Sequence, residues 1–176
     1  MQTVKQFEKI PLSDKDVYNF FKNEVNILTY PELNKCQSID EVLGPYGACV
    51  ILYETRPHYG HWTLIFKTKD NELEFFNSYG GYPDLALSNI PIKFRMETNQ
   101  YIPYLSQLII KSPYQLNYNE FRFQKEGVST CGKHCCIRLH FRYLDIYQYH
   151  TMMNIIKKNT GYDYDAIVTV LYEEFS

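Results

Sequence analysis

Residues 61–77 read HWTLIFKTKDNELEFFN, and their pattern decides how the middle of the chain folds. His61 to Lys67 reads as one strand and Glu72 to Asn77 as its partner, with a turn signal at Asp70-Asn71 between them. In an antiparallel hairpin with its midpoint near Lys69, His61 and Asn77 become cross-strand neighbours. The turn signal lies slightly off that midpoint, so this register calls for a bulge or a longer loop.

Working outward, Ala48 to Tyr53 is a short apolar run that reads as another strand, and Arg56 to Gly60 as a loop. Further upstream, Ser13 with Asp16 can cap a helix over roughly residues 14–25, in which Val17, Phe20, Phe21 and Val25 share a face. Ser38 to Leu43 reads as one more helical turn, stopped by Gly44-Pro45. Downstream, Ser78 to Asp84 is a loop and Ile90 to Phe94 a possible strand. A helix starts near Pro103, and Leu116 to Phe123 is extended. Ser129 or Thr130 is placed to cap a helix that opens at Cys131 and runs to about Leu144. Two more helices follow, over residues 147–159 and roughly 164–174, the first ended by Gly161. This order predicts one α+β domain over residues 1–176, with a mixed, mostly antiparallel sheet flanked by helices.

The 176 residues suffice for a single hydrophobic core. A formal net charge of −2 with no basic stripe makes nucleic acid no obvious partner. The apolar runs are too short to cross a bilayer, and the first residues, MQTVKQFEKIPLSDKD, do not read as a signal peptide, so membrane attachment and secretion are not expected. Five cysteines, three of them crowded at 131, 135 and 136, do not look like a disulfide framework. Cys135 and Cys136 read as small core residues, and Cys49 as buried in a strand. His58, His140 and His150 read as packing or surface residues. Residues with AT-rich codons (Phe, Tyr, Met, Ile, Asn, Lys) far outnumber those with GC-rich codons (Gly, Ala, Arg, Pro), as an AT-rich genome would produce.

The chemistry concentrates on four residues. Cys131 opens a predicted helix, where unpaired amides and the helix dipole favour the thiolate, the attacking species. Gly132 after it lets a substrate backbone come close. His61 is a candidate base, and Asn77 beside it can hold the ring in its productive tautomer. Gln124, seven residues before Cys131, can donate to an oxyanion together with the Cys131 N–H. Each residue type alone has an ordinary structural role; the ordered set is far more specific. Cys131, His134 and Cys135 lack a second ligand pair at finger spacing, so no metal is expected.

That set resembles the adenovirus proteinase (adenain) group within the wider SUMO-protease-like cysteine peptidases. The matching residues are His61-Trp62, Asn77 within Phe76-Asn77-Ser78-Tyr79-Gly80, Gln124, and Cys131-Gly132-Lys133-His134-Cys135-Cys136. The match spans residues 61–136. Asn77 departs from the Asp or Glu most common at that site. The resemblance implies a fold with the nucleophile at the start of a central helix. It also implies a thiol endopeptidase that cleaves viral capsid or core precursor polypeptides after small residues, at Gly-Gly or Ala-Gly sites. Trp62 is expected as a lid over a narrow groove, with Trp62 and Gly132 touching substrate. The setting implied is the virion and the host cytoplasm or viral factory, and the composition suits large DNA viruses and virophages. The adenovirus enzyme is activated by a disulfide-linked peptide and by DNA. This chain has no cysteine between Cys49 and Cys131, so neither a linked peptide nor nucleic acid is expected to be required, and no cofactor is expected. Two rivals are a ubiquitin- or SUMO-like isopeptidase using the same residues and a non-catalytic structural protein with a relict protease fold. The oligomeric state is left open.

Overall fold

The computed structural model describes residues 3–57 and 59–176; the readings of His58 and of Met1 and Gln2 lie outside them. Five strands lie side by side in sequence order: β1 (Asn26–Thr29), β2 (Ala48–Arg56), β3 (Tyr59–Lys67), β4 (Leu73–Phe76) and β5 (Leu116–Tyr118). The central pairs β2–β3 and β3–β4 are antiparallel, and the outer pairs β1–β2 and β4–β5 are parallel. Around the sheet lie α1 (Val4–Phe7), α2 (Asp14–Phe20), α3 (Ile39–Leu43), α4 (Ile92–Glu97), α5 (Tyr104–Ile110), α6 (Cys131–His140), α7 (Ile146–Thr160) and α8 (Tyr164–Phe175). This is the expected α+β architecture.

Alternation along the central strands splits the core in two, because successive side chains point to opposite faces. Val50, Leu52, Trp62, Leu64, Phe66 and Phe76 pack with Cys135, Cys136, Ile137 and Leu139 of α6. Cys49, Ile51, Tyr53, Ile65, Leu73 and Phe75 pack on the other face against Ile39, Val42, Leu105 and Leu108. From Cys131 to Leu139 every residue of α6 is buried. An all-buried helix is a core helix, and α6 therefore holds its first residue rigidly against the sheet. Its polar anchor on the sheet is Arg138, which donates from Nε and Nη2 to the Glu74 carboxylate of β4 at 2.7 and 2.8 Å.

Several expectations need correction. In the β3–β4 ladder Leu64 faces Phe76 and Lys67 faces Leu73. The hairpin is therefore centred on Asp70, where the turn signal lies, and needs no bulge. Continued to its end, this register sets His61 diagonal to Asn77 rather than opposite it. The helix expected over 14–25 stops at Phe20, because Lys22 and Asn23 turn left-handed (φ 52° and 66°) and the chain reverses into β1, a strand the sequence reading missed. The strand expected over Ile90–Phe94 is instead the start of α4. Pro91 fills its N-cap, a place that needs no backbone donor, and the sheet edge beside β4 is already taken by β5. The loop read over 56–60 is shorter, since β2 runs to Arg56 and β3 begins at Tyr59. Beyond Tyr118 the backbone leaves the sheet. There the Asn119 side chain takes over, accepting from the Asn77 N–H at 3.2 Å and donating to the Asn77 carbonyl at 2.7 Å.

Candidate active site

His61 and Asn77 meet through their side chains, with Nε2 of His61 2.7 Å from Oδ1 of Asn77. The protonation of this pair follows from a third group. The backbone N–H of Tyr79, which can only donate, also points at Asn77 Oδ1, at 2.9 Å. The oxygen is thus an acceptor, and His61 Nε2 must carry the proton. Nδ1 is left with its lone pair, the form a base requires. The Tyr79 ring stacks on the imidazole with centroids 4.8 Å apart, and the Arg122 guanidinium lies 4.6 Å from the Tyr79 centroid.

Cys131 opens α6 as expected, but its chemistry differs from the sequence expectation. Burial pushes its thiol above the ordinary value; the N–H groups of Trp62, Gly132 and Cys131 itself pull it back without offsetting that. Burial likewise lowers His61 to about 4, the Asn77 bond opposes this, and the nearby His134 adds to it. The resting pair is therefore a neutral thiol and a neutral imidazole, not the thiolate expected from the helix dipole alone. Desolvation outweighs the dipole at this depth.

Gln124 is almost fully buried. Its Oε1 accepts from the Ser78 hydroxyl at 2.6 Å, and its Nε2 donates to the Val128 carbonyl at 3.0 Å. A carbonyl only accepts, so the amide orientation is fixed, and among the described residues one Nε2 hydrogen has no partner. Ser78 adjoins Asn77, and Val128 lies three residues before Cys131. The structure thus joins His61 directly to Asn77, ties Gln124 to Ser78 beside Asn77, and directs the N–H of Trp62, the residue after His61, at the Cys131 sulfur. Among the described residues, no hydrogen bond links Cys131 or Gln124 to the His61 side chain.

Trp62 and Gly132 are both packed against Leu12 of the N-terminal segment. Trp62 is buried, and its indole N–H donates to the Leu12 carbonyl at 3.0 Å. It is a fixed wall beneath the N-terminal segment rather than a lid. A Cβ on Gly132 would come within 3.0 Å of Leu12 Cβ and 3.1 Å of Trp62 Cδ1. Glycine there lets Leu12 and Trp62 pack closely against the start of α6. Cys135 and Cys136 are fully buried core residues, and all five thiols are free. No group of three His, Cys, Asp or Glu among the described residues is placed to hold a metal ion. No described helix is long and apolar enough to cross a membrane.

Sequence reasoning missed Ser78, Tyr79 and Asn119. Only Ser78 and Tyr79 carried a signal, through their place beside Asn77 in the quoted motif. Because the Asn77 amide holds the imidazole without adding charge, any turnover that depends on His61 should fall less in Asn77→Ala than in His61→Ala, and Asn77→Asp should be tolerated. Steady-state kinetics on the three variants checks the order. Equal losses for Asn77→Ala and His61→Ala would contradict it.

No family model matches the chain. Solved structures similar at low identity include two proteins. The central domain of the uncharacterized Lpg1148 protein from Legionella pneumophila has a TM-score of 0.42 at 14% identity, covering 95% of this chain and 98% of that one. The SUMO protease Ulp1, with its catalytic cysteine oxidized to a sulfinic acid, has a TM-score of 0.40 at 13% identity, covering 98% and 82%. In sequence, the chain is 46% identical over 173 residues to uncharacterized protein V9 of the Sputnik virophage, covering 97% of this chain and 99% of that protein. At that identity over nearly the whole of both chains, this protein belongs to the same family as the virophage protein V9.

Proposed function

We propose that this chain is a thiol endopeptidase with Cys131 as nucleophile, His61 as base, Asn77 as its orienting partner and Gln124 as an oxyanion donor. The observation that carries the reading is the locked tautomer of His61. Asn77 Oδ1, fixed as an acceptor by the Tyr79 N–H, leaves Nδ1 as the basic nitrogen. In the reaction, His61 Nδ1 takes the Cys131 proton as sulfur attacks the peptide carbonyl carbon. The free Gln124 Nε2 hydrogen and the Cys131 N–H hold the oxygen as it becomes negative. The imidazolium then gives its proton to the leaving amine, and water, deprotonated by His61, hydrolyses the thioester.

The burial of Cys131 beside Trp62 favours substrates with small residues at the scissile bond, because a bulky side chain could not come close. Gly-Gly or Ala-Gly sites in viral precursor polypeptides fit this. The direct test is cleavage of a Gly-Gly peptide by the purified chain under reducing conditions, with and without DNA across a salt series. Cleavage independent of both DNA and oxidation is expected; no cleavage in any arm would overturn the proposal. Reaction with ubiquitin or SUMO probes in place of the peptide would redirect it to an isopeptidase.

Gln124→Ala should lower kcat by roughly 10²- to 10³-fold, the usual loss for one oxyanion donor, with KM little changed. A change confined to KM would make Gln124 a substrate-binding residue instead.

A further inference from the structure

Gln124 and Cys131 lie on either side of a loop, and one buried carboxylate grips that loop at both ends. Asp165, in the first turn of α8, is 1% exposed. Its Oδ2 accepts from the backbone N–H of Lys125, the residue after Gln124, at 3.0 Å. Its Oδ1 accepts from the Thr130 hydroxyl, the residue before Cys131, at 2.6 Å. The same Oδ1 receives His134 Nε2, one turn into α6, at 2.9 Å. Thr130 is the N-cap of α6, yet its hydroxyl makes no cap bond and goes to Asp165 instead. Between the two grips the loop has little packing of its own, and a Cβ on Gly127 would meet nothing within 4 Å. Other holds on the loop are the Glu8 backbone carbonyl, which accepts from the Ser129 N–H at 2.7 Å, the Gln124 Nε2 bond to the Val128 carbonyl, and the ion pairs of Lys125 Nζ with Glu8 at 3.2 Å and Asp163 at 2.7 Å and of Arg122 with Glu126 at 3.7 Å.

We infer that Asp165 is a positioning residue that sets the separation between the Gln124 amide and the Cys131 sulfur. The carboxylate touches neither reacting atom. It fixes the loop that carries one donor and the helix cap that carries the nucleophile. An oxyanion donor works only when it meets the oxygen at hydrogen-bond distance, so loosening either end of the loop lowers turnover rather than substrate binding. Burial pushes the Asp165 carboxyl up, but His134, Thr130 and the Lys125 N–H hold it below the ordinary range, so it stays an acceptor near neutral pH. This inference rests on the peptidase reading for its kinetic consequence and on geometry alone for the clamp.

The test uses the full chain. Asp165→Asn keeps one carbonyl acceptor and sets an NH₂ against a donor at the other end. Thr130→Val deletes the hydroxyl at nearly constant shape, and Thr130→Ser restores it. Asp165→Asn and Thr130→Val should lower kcat by roughly tenfold or more with KM nearly unchanged, and Thr130→Ser should stand near wild type. In a Gln124→Ala background the same two changes should cost little further, since the donor they position is gone. Additive losses that track a falling melting temperature would overturn the inference by making Asp165 a general stabiliser. Should the wild-type chain cleave no peptide, the peptidase reading fails, and the clamp is read separately by amide hydrogen exchange at residues 125–130. Exchange at least tenfold faster in Asp165→Asn and Thr130→Val, but not in Thr130→Ser, supports the clamp. Unchanged exchange overturns it.

Discussion

Replacing Cys131 by alanine should abolish peptide cleavage, a loss on the order of 10⁴- to 10⁶-fold, as when a covalent nucleophile is removed. Replacing Cys136 should leave the activity of each folded molecule largely intact. The three thiols of this helix differ in what surrounds them. Cys135 and Cys136 are fully enclosed, and burial holds both well above the ordinary thiol range. Cys131 is also raised by burial, but it alone has three backbone N–H groups favouring its thiolate. The proposed mechanism does not need a standing thiolate, because in it His61 takes the proton as sulfur attacks. It needs His61 neutral. With His61 lowered to about 4, protonation removes the base only near that pH, so the acid limb of kcat/KM should lie near pH 4 instead of near 6.5. The free-enzyme profile reports this ionisation. An acid limb at pH 6 to 7 would mean that the imidazole is solvated and that the resting pair is not neutral. Cleavage by the Cys131→Ala protein at the wild-type rate would end the peptidase reading altogether.

How much of this was legible in the sequence depends on the range of the interaction. The strand at HWTLIFK and the helix opening at Cys131 are local patterns, and both are present, although the strand begins two residues earlier, at Tyr59, and the helix read to about Leu144 ends at His140. The His61–Asn77 pair was anticipated from an incorrect register; the side chains still meet because a diagonal pair across a hairpin is within reach. β1 was missed because Asn26–Thr29 is short, only half-buried and paired in parallel with a strand twenty-three residues away. The Asp165 clamp was invisible because its value lies in where α8 packs, not in any motif around residue 165. Glu74 is the clearest case. In ELEFF it looks like the polar half of an alternating strand, facing water. It faces α6 instead, and only an arginine sixty-four residues later explains it.

That arginine carries the second large expectation. Arg138 and Glu74 are both buried and form a two-point pair, while Arg138 also donates to the Phe141 and Leu144 carbonyls at 3.0 and 2.8 Å. Its guanidinium lies over the rings of Phe66 and Tyr149. The second donation stitches the end of α6 to the turn before α7, so one side chain joins sheet, helix and turn. Removing one partner of such a pair leaves an uncompensated buried charge, which costs about 3–5 kcal/mol. That is a third or more of the stability of many domains. Arg138→Met and Glu74→Leu should each lower the urea midpoint strongly, but they should differ in pH dependence. In Arg138→Met the lone Glu74 sits in a site where burial already pushes its pKa up, and the opposing arginine is gone. The folded form then binds a proton more tightly than the unfolded chain. Stability should therefore rise as pH falls from 7 toward the ordinary carboxylate range. In Glu74→Leu the buried guanidinium cannot shed its charge, so acid brings no such recovery. The double variant removes both charges and should recover much of the loss, because an apolar pair of similar volume is often as stable as a buried ion pair. Urea unfolding of the three proteins at pH 7 and pH 5 separates these outcomes. Additive losses in the double variant, or equal pH responses in the two single variants, would show that the pair does not hold α6 to the sheet through its charges.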